Sequence, residues 1–272
     1  MDNRQVATLA AILVAALIGL VVVVNLTGDD EPPTSTTTSS TSSTTTPTTA
    51  DTSPSTTVPA DLGDRVLAQL AARTADSTER ARSLAAPGSP AEAYFLHQVA
   101  ALSIVGDQPV ARLEGSEPWR VCDQVDGGAR CRTFDALTTD ADGRLFSFEI
   151  DGRSIEGRLV VDGYTVSDGG VTVSLVSAYR TIPDDSMVVI VEIENGRSDG
   201  IIANGFAAVY SDPTLGDFEV ASSVGLDAIA GGGSARMLFV FDSGDIAGDL
   251  VLPFTSADFT ESFQITLTAA TP

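Results

Sequence analysis

The chain has 272 residues, with 37 acidic residues against 15 basic ones and a formal net charge of −22 at pH 7. So negative a charge opposes binding to nucleic acid or to an anionic membrane surface, and neither is expected as a partner. Every basic residue is an arginine. The lack of lysine excludes a Schiff-base enzyme, a Walker-A nucleotide site and a Ser-x-x-Lys acylation site.

The first feature in chain order is an uncharged apolar run that begins at Val6 and ends at Leu26. As a helix it spans the ~30 Å hydrocarbon core of a bilayer. Arg4 precedes the run and three acidic residues at 29–31 follow it, so the positive-inside rule predicts a cytoplasmic N-terminus and an extracellular remainder. The alternative is a cleaved signal peptide, although the run is longer than the usual apolar region of one.

The next segment, residues 32–60, consists almost entirely of Thr, Ser and Pro. It has too little apolar surface to offset the entropy cost of folding, so we expect a disordered stalk. Its prolines favour extended polyproline II conformations, which suits a spacer between a membrane and the folded part. Such hydroxyl-rich stalks are common targets of O-glycosylation.

Two helices are predicted to open the folded part. The first, over residues 62–85, is expected to break near Asp76. The second has Ser89 as N-cap, a proline at its first position and Gly106 as C-cap. Its buried stripe is predicted to comprise Phe95, Leu96, Val99, Leu102 and Ser103.

After residue 109 the apolar period changes to two, and Asp-Gly pairs recur about every ten residues, which is typical of an antiparallel meander. A two-residue turn at 126–127 places Cys122 opposite Cys131 and Trp119 opposite Phe134. Because the exported compartment permits disulfides, we predict a Cys122–Cys131 disulfide. A redox-active or metal-binding pair is the alternative, but the spacing is not C-x-x-C.

Two other positions are candidate functional sites. His97, the single histidine, is expected to have a structural or surface role on the second helix. The sequence Asp140-Ala-Asp142-Gly143, followed by Glu149, resembles part of a calcium loop, but its alternating flanks favour a hairpin turn. No catalytic, cofactor-binding or metal-binding residue is predicted, and no cofactor is expected.

The last part of the chain contains seven short apolar runs separated by turn residues, which indicates an antiparallel β-sandwich. Three of its segments, 188–195, 206–212 and 231–242, resemble the immunoglobulin-like domains of bacterial exported proteins, in particular the DUF4352/telokin-like (MPT63-like) group. The resemblance implies a surface or secreted accessory domain and carries over no site residue. The helix-and-meander part is weakly similar to cystatin/NTF2-like folds, by topology alone.

The predicted organisation is a cytoplasmic tail (1–5), a transmembrane anchor (6–26), a disordered stalk (27–60), an α+β helix–meander domain (61–162) and an immunoglobulin-like β-sandwich (163–272). We expect a single-pass cell-membrane protein without catalytic activity that binds a protein, glycan or envelope component. The first alternative is a small-molecule or lipid carrier or sensor, which a deep apolar pocket beneath the second helix would favour. The second is a carboxylate-based hydrolase, which two acids converging in a cleft would favour.

Overall fold

The computed structural model describes residues 58–59, 61–125, 128–161, 163–182 and 184–268. The predicted tail and anchor, and the stalk up to residue 57, lie outside the described residues. Among the residues that are described, no helix is long and apolar enough to cross a membrane. The described part is an α+β fold in which a few helices precede large antiparallel sheets that include a β-sandwich.

Three helices open the fold: α1 (Leu62–Ala72), α2 (Ala75–Arg82) and α3 (Pro90–Val105). The break in the first predicted helix comes at Arg73, which has a left-handed backbone (φ 56°), rather than near Asp76. Thr74 then starts α2 with a capping box in which its side chain accepts from the Ser77 backbone N–H. The local cap therefore determines where the break falls.

The caps predicted for α3 are confirmed. Ser89 accepts a hydrogen bond of 3.1 Å from the Glu92 backbone N–H, Pro90 is the first helical residue and Gly106 ends the helix. The predicted buried stripe is only partly right, because Ser103 is exposed while His97 and Gln98 are buried. The reason is that α3 contacts two sheets rather than one, so that it is buried on more than a single stripe.

The first sheet is a five-stranded antiparallel meander in the order β1-β2-β3-β4-β5. Its strands are β1 (Arg112–Glu114), β2 (Trp119–Val125), β3 (Gly128–Thr139), β4 (Leu145–Ile150) and β5 (Arg153–Ser154). The predicted β2–β3 register is confirmed, since Cys122 pairs with Cys131 and Trp119 with Phe134. The two cysteines form a disulfide across a Cα–Cα distance of 4.0 Å.

The second set of strands forms the sandwich. Its strands are β6 (Leu159–Val161), β7 (Thr165–Asp168), β8 (Val171–Arg180), β9 (Met187–Asn195), β10 (Ile201–Ala203), β11 (Val209–Asp212), β12 (Gly216–Gly225), β13 (Ala228–Ile229), β14 (Ser234–Phe241), β15 (Asp249–Ser256) and β16 (Ser262–Leu267). One layer contains β6, β7, β8, β9, β14 and the second half of β12, and the other contains the first half of β12 with β11, β15, β16, β10 and β13. A register shift between Val220 and Ser222 lets β12 pass from one layer to the other.

The fifth predicted meander strand, residues 154–161, is divided between the two sheets. Its start contributes to β5, whereas its end forms β6, which pairs with β8 in the sandwich through Leu159 and Tyr179. Gly157 adopts φ +68°, a conformation that favours glycine, and allows the chain to turn between the two. The second sheet therefore begins before the domain boundary predicted at residue 162.

Helix α3 joins the two units. Its first half, with Tyr94 and Phe95, packs in the core between the helices and the meander. Its second half, with Ala101 and Leu102, packs against β9 and β14 through Ile190 and other side chains on the outer face of the sandwich. The opposite faces of β9 and β14 line the sandwich core, which explains why both strands are almost continuously apolar.

We predict that changing both Cys122 and Cys131 to Ser lowers the free energy of unfolding by about 2–3 kcal/mol, because the unfolded chain loses a short covalent loop. Urea denaturation measures this loss. A reductant should lower the stability of the wild-type protein and leave the double variant unchanged. Two free thiols found by mass spectrometry under non-reducing conditions would contradict the disulfide.

We also predict that the two units unfold together. Leu238 on β14 is fully buried against α3, and the single tryptophan, Trp119, lies in the meander. Leu238→Ala should cost about 2–5 kcal/mol and shift the Trp119 fluorescence transition as much as the circular-dichroism transition. A shift confined to circular dichroism would show that the units are independent.

Candidate functional site

The segment Asp140-Ala-Asp142-Gly143, which resembles part of a calcium loop, is a hairpin turn between β3 and β4, as predicted. The Asp140 carboxylate accepts hydrogen bonds from the backbone N–H groups of Asp142 (3.0 Å) and Arg144 (2.8 Å) and from Arg144 Nε (3.0 Å). Burial opposes ionisation of Asp140, but these hydrogen bonds and the Arg144 charge outweigh it and lower its pKa. The carboxylate therefore stabilises the turn.

His97 lies inside the protein, where α3 meets β8. Its Nδ1 is 2.9 Å from Ser177 Oγ, and its ring lies edge-on to Tyr179 with 5.2 Å between centroids. Burial disfavours the charged ring and lowers its pKa from 6.5 to about 3. His97 is therefore a neutral hydrogen-bonding group in the core at physiological pH.

The residues that carry the immunoglobulin-like resemblance have structural contacts. Asn195 is buried, and its side-chain amide donates to the carbonyls of Asp199, Ile229 and Ala230. Asp212 accepts from three backbone N–H groups, among them that of Asp245 at 2.7 Å. These side chains hold loops in place.

A polar cavity of about 60 Å³ lies between the helices and the β2–β3 hairpin. Its polar lining consists of Arg73, Thr78, Tyr94, Gln98, Asp123 and Arg132, and we call it the arginine cavity. Leu70, Leu102, Val121 and Phe134 complete the lining. A second cavity, inside the sandwich, is smaller, about 20 Å³, and its lining contains no acidic or basic residue.

Each element brings a particular group to the arginine cavity. Arg73 ends α1, and its guanidinium donates to the Asp123 carboxylate on β2 in an ion pair that is almost completely buried. Asp123 shares a face of the sheet with Val121 and Trp119, so it points toward the helices. Arg132 lies on β3 opposite Val121 and donates to the Ile182 carbonyl at 3.0 Å.

Both guanidinium charges act on the interior of the arginine cavity. Burial raises the pKa of Tyr94, and the nearby charges of Arg132 and Arg73 oppose that rise. Thr78 is completely buried in α2, and its Oγ1 has no hydrogen-bond partner within the structure. The cavity thus combines fixed positive charge with a buried hydroxyl.

A second charged cluster lies where the meander meets the sandwich. One oxygen of the Asp185 carboxylate contacts Arg153 (2.6 Å), Arg158 (2.9 Å) and Arg180 (3.2 Å). Burial opposes ionisation of Asp185, but the arginines outweigh it and lower its pKa. We call this group the Asp185 clasp. It links β5 of the first sheet to β8 of the second.

Two large apolar side chains are exposed on neighbouring loops at the side of the sandwich, beside the middle of β14 and β15. Phe206 is 77% exposed and Leu226 is 71% exposed. Their loops run side by side, since the Ala203 backbone N–H donates to the Asp227 carbonyl at 2.8 Å and both loops pack against Met237. We call these two side chains the apolar loop pair.

Of the predicted site residues, Cys122 and Cys131 lie together in the disulfide. The arginine cavity was not predicted. The register alone places Asp123 and Arg132 on the face of the hairpin that carries Trp119, and charged side chains on the face with the buried aromatic residues were the available signal. Arg73 reaches the arginine cavity because α1 ends just before it, so predicting its place there requires the exact end of that helix.

No family model and no curated protein matches the chain. Among solved structures, the chain is similar to a functionally unknown protein from Listeria monocytogenes EGD-e, with 9% identity and a TM-score of 0.28. The match covers 42% of this chain and 88% of the other. A similarity at this level carries no argument about fold or function, so the resemblances drawn from the sequence stay predictions.

We predict that the free energy of unfolding decreases as the pH is lowered, because His97 stays neutral in the folded protein and binds a proton in the unfolded chain. The unfolded chain binds a proton at this histidine below pH 6.5, whereas the folded chain does not until about pH 3, so the contribution is complete above pH 6.5 and declines below it. Between pH 7.5 and 5.5 the wild-type protein should lose about 1.4 kcal/mol more unfolding free energy than His97→Gln. Urea denaturation at both pH values measures the difference, and equal losses would contradict it.

Proposed function

We propose that the chain is a membrane-anchored, extracytoplasmic, non-catalytic cell-surface protein that binds a protein, glycan or envelope component. In this proposal residues 6–26 anchor the protein with its N-terminus in the cytoplasm. Residues 27–60 hold the folded part away from the membrane. The sandwich is an immunoglobulin-like domain of the DUF4352/telokin-like kind.

The observation that carries the proposal is the apolar loop pair. Single exposed apolar residues are ordinary, but two large ones on adjacent loops are typical of a binding surface. Because Gly205 and Gly225 pack closely on Met237, the loops that carry Phe206 and Leu226 are held by the sandwich core.

Other features support export and binding. The Cys122–Cys131 disulfide is the kind that persists in an oxidising compartment outside the cytoplasm. The strongly acidic chain favours solubility. Together, α3 and the Asp185 clasp join the two units into a platform that presents the loops from a fixed position.

The alternatives have less support. A lipid carrier needs a deep apolar pocket, whereas the arginine cavity is small and charged. A carboxylate-based hydrolase needs two acids in one cleft, whereas Asp123 is the one acid in the linings of the two cavities, and Arg73 is paired with it. Small-molecule binding is the alternative that the arginine cavity favours.

We predict that the double change Phe206→Ser and Leu226→Ser reduces the cross-linking of the protein to its surface partner by about tenfold or more, because buried apolar side chains dominate such contacts. Cross-linking on intact cells, followed by mass spectrometry, identifies the partner and measures its yield. Phe259→Ser is the matched control. Phe259 is 73% exposed, on the hairpin that follows Ala257, which contacts Gly200 at the opposite end of β10.

Protease added to the same intact cells tests exposure. The proposal expects removal of the folded part, while protection would show that this part is not outside the cell. An equal yield from the double variant and the wild-type protein would contradict the role of the apolar loop pair. An equal loss of cross-linking yield in Phe259→Ser would also contradict the role of the apolar loop pair.

A further inference from the structure

We propose that the arginine cavity is a binding site for the carboxylate group of a small organic acid, with Arg132, Arg73 and Thr78 as the residues that bind it. This site is separate from the apolar loop pair and does not depend on it.

The first argument is charge. The lining contains two guanidinium groups, those of Arg73 and Arg132, and one carboxylate, that of Asp123, so its formal charge is +1 whichever pairs form within it. The chain as a whole carries −22. A positive, mostly enclosed site within so acidic a protein attracts one negative charge and matches a monoanion better than a dianion.

The second argument is the buried hydroxyl. Thr78 Oγ1 lines the arginine cavity, is shielded from solvent and has no hydrogen-bond partner within the structure. An unsatisfied buried hydroxyl costs free energy, and a ligand oxygen in the cavity removes that cost by accepting its proton in a hydrogen bond. This observation is independent of the charge and also indicates an acceptor.

The third argument is size and shape. A volume of about 60 Å³ holds roughly four to six water-sized groups, which is the size of acetate or lactate rather than a sugar or a lipid. The planar guanidinium fork matches the two oxygens of a carboxylate. Leu70, Val121 and Phe134 provide an apolar wall for a short carbon chain.

The protein itself contains the chemistry that we infer. Arg73 already binds the carboxylate of Asp123, and the Asp185 clasp holds another carboxylate between three guanidinium groups. A ligand carboxylate in the arginine cavity would contact guanidinium groups of the same kind. Arg73, Arg132 and Leu70 each keep part of their surface accessible to solvent, so a small ligand can enter the cavity between them.

Isothermal titration calorimetry on the full-length protein in detergent tests the inference, with acetate, propionate and lactate as probes. Acetamide is the neutral analogue of acetate, and phosphate and sulfate are the competing oxyanions. We expect saturable binding of the carboxylates and none of acetamide. Arg132→Gln should weaken binding by about 10–100-fold, because a charged hydrogen bond is lost, and Thr78→Val by about 2–10-fold.

Arg120→Gln is the matched control. It removes the same charge from the neighbouring strand, but Arg120 is exposed and alternates with Trp119 and Val121, so it lies on the opposite face of the sheet. This variant should bind carboxylates within about twofold of the wild-type protein. Thr78→Val is nearly isosteric and keeps the test usable if Arg132→Gln does not fold.

Several results would overturn the inference: no saturable binding of any carboxylate, equal binding of acetamide, or unchanged affinity in folded Arg132→Gln and Thr78→Val. Tighter binding of phosphate or sulfate would overturn the assignment to carboxylates. If protease removes the folded part on intact cells but the protein binds none of the probes, the carboxylate site is wrong and the proposed function is unaffected. A protein that is protected from protease on intact cells but binds acetate overturns the proposed function alone.

Discussion

The packing of α3 between two sheets is the constraint on which the rest of the structure depends. The helix has 16 residues, about 24 Å in length, and its two halves belong to different cores. The side chain of Leu102 packs against the sandwich and also lines the arginine cavity. The position of the cavity, the burial of His97 and the relation of the two units all follow from this one helix.

Short-range features were predictable from the sequence because their causes lie within a few residues. The Ser89 cap and the register that joins Cys122 to Cys131 follow from local chemistry and the alternation of a hairpin. Long-range features were not. The buried face of α3 was predicted for one sheet, and nothing near Arg73 in the sequence indicates that it reaches Asp123, 50 residues further along the chain.

Several of the positively charged side chains of this acidic protein are half-buried. It carries more than twice as many acids as arginines, yet five arginines lie half-buried at the arginine cavity and the Asp185 clasp: Arg73, Arg132, Arg153, Arg158 and Arg180. Arginine suits such positions because it stays charged and is weakly hydrated. Asp123 pairs with Arg73, and Asp185 pairs with Arg153, Arg158 and Arg180, so two carboxylates hold four of these guanidinium groups in place.

The burial of His97 has a consequence for the electrical behaviour of the whole molecule. Its ring stays neutral, both cysteines are locked in a disulfide, and the chain has no lysine. Between about pH 6 and 9 the folded protein therefore has almost no side chain that gains or loses a proton. The charge of the molecule, and with it the repulsion between neighbouring copies, changes little over that interval, so ionic strength has more influence than acidity on how closely such molecules approach one another.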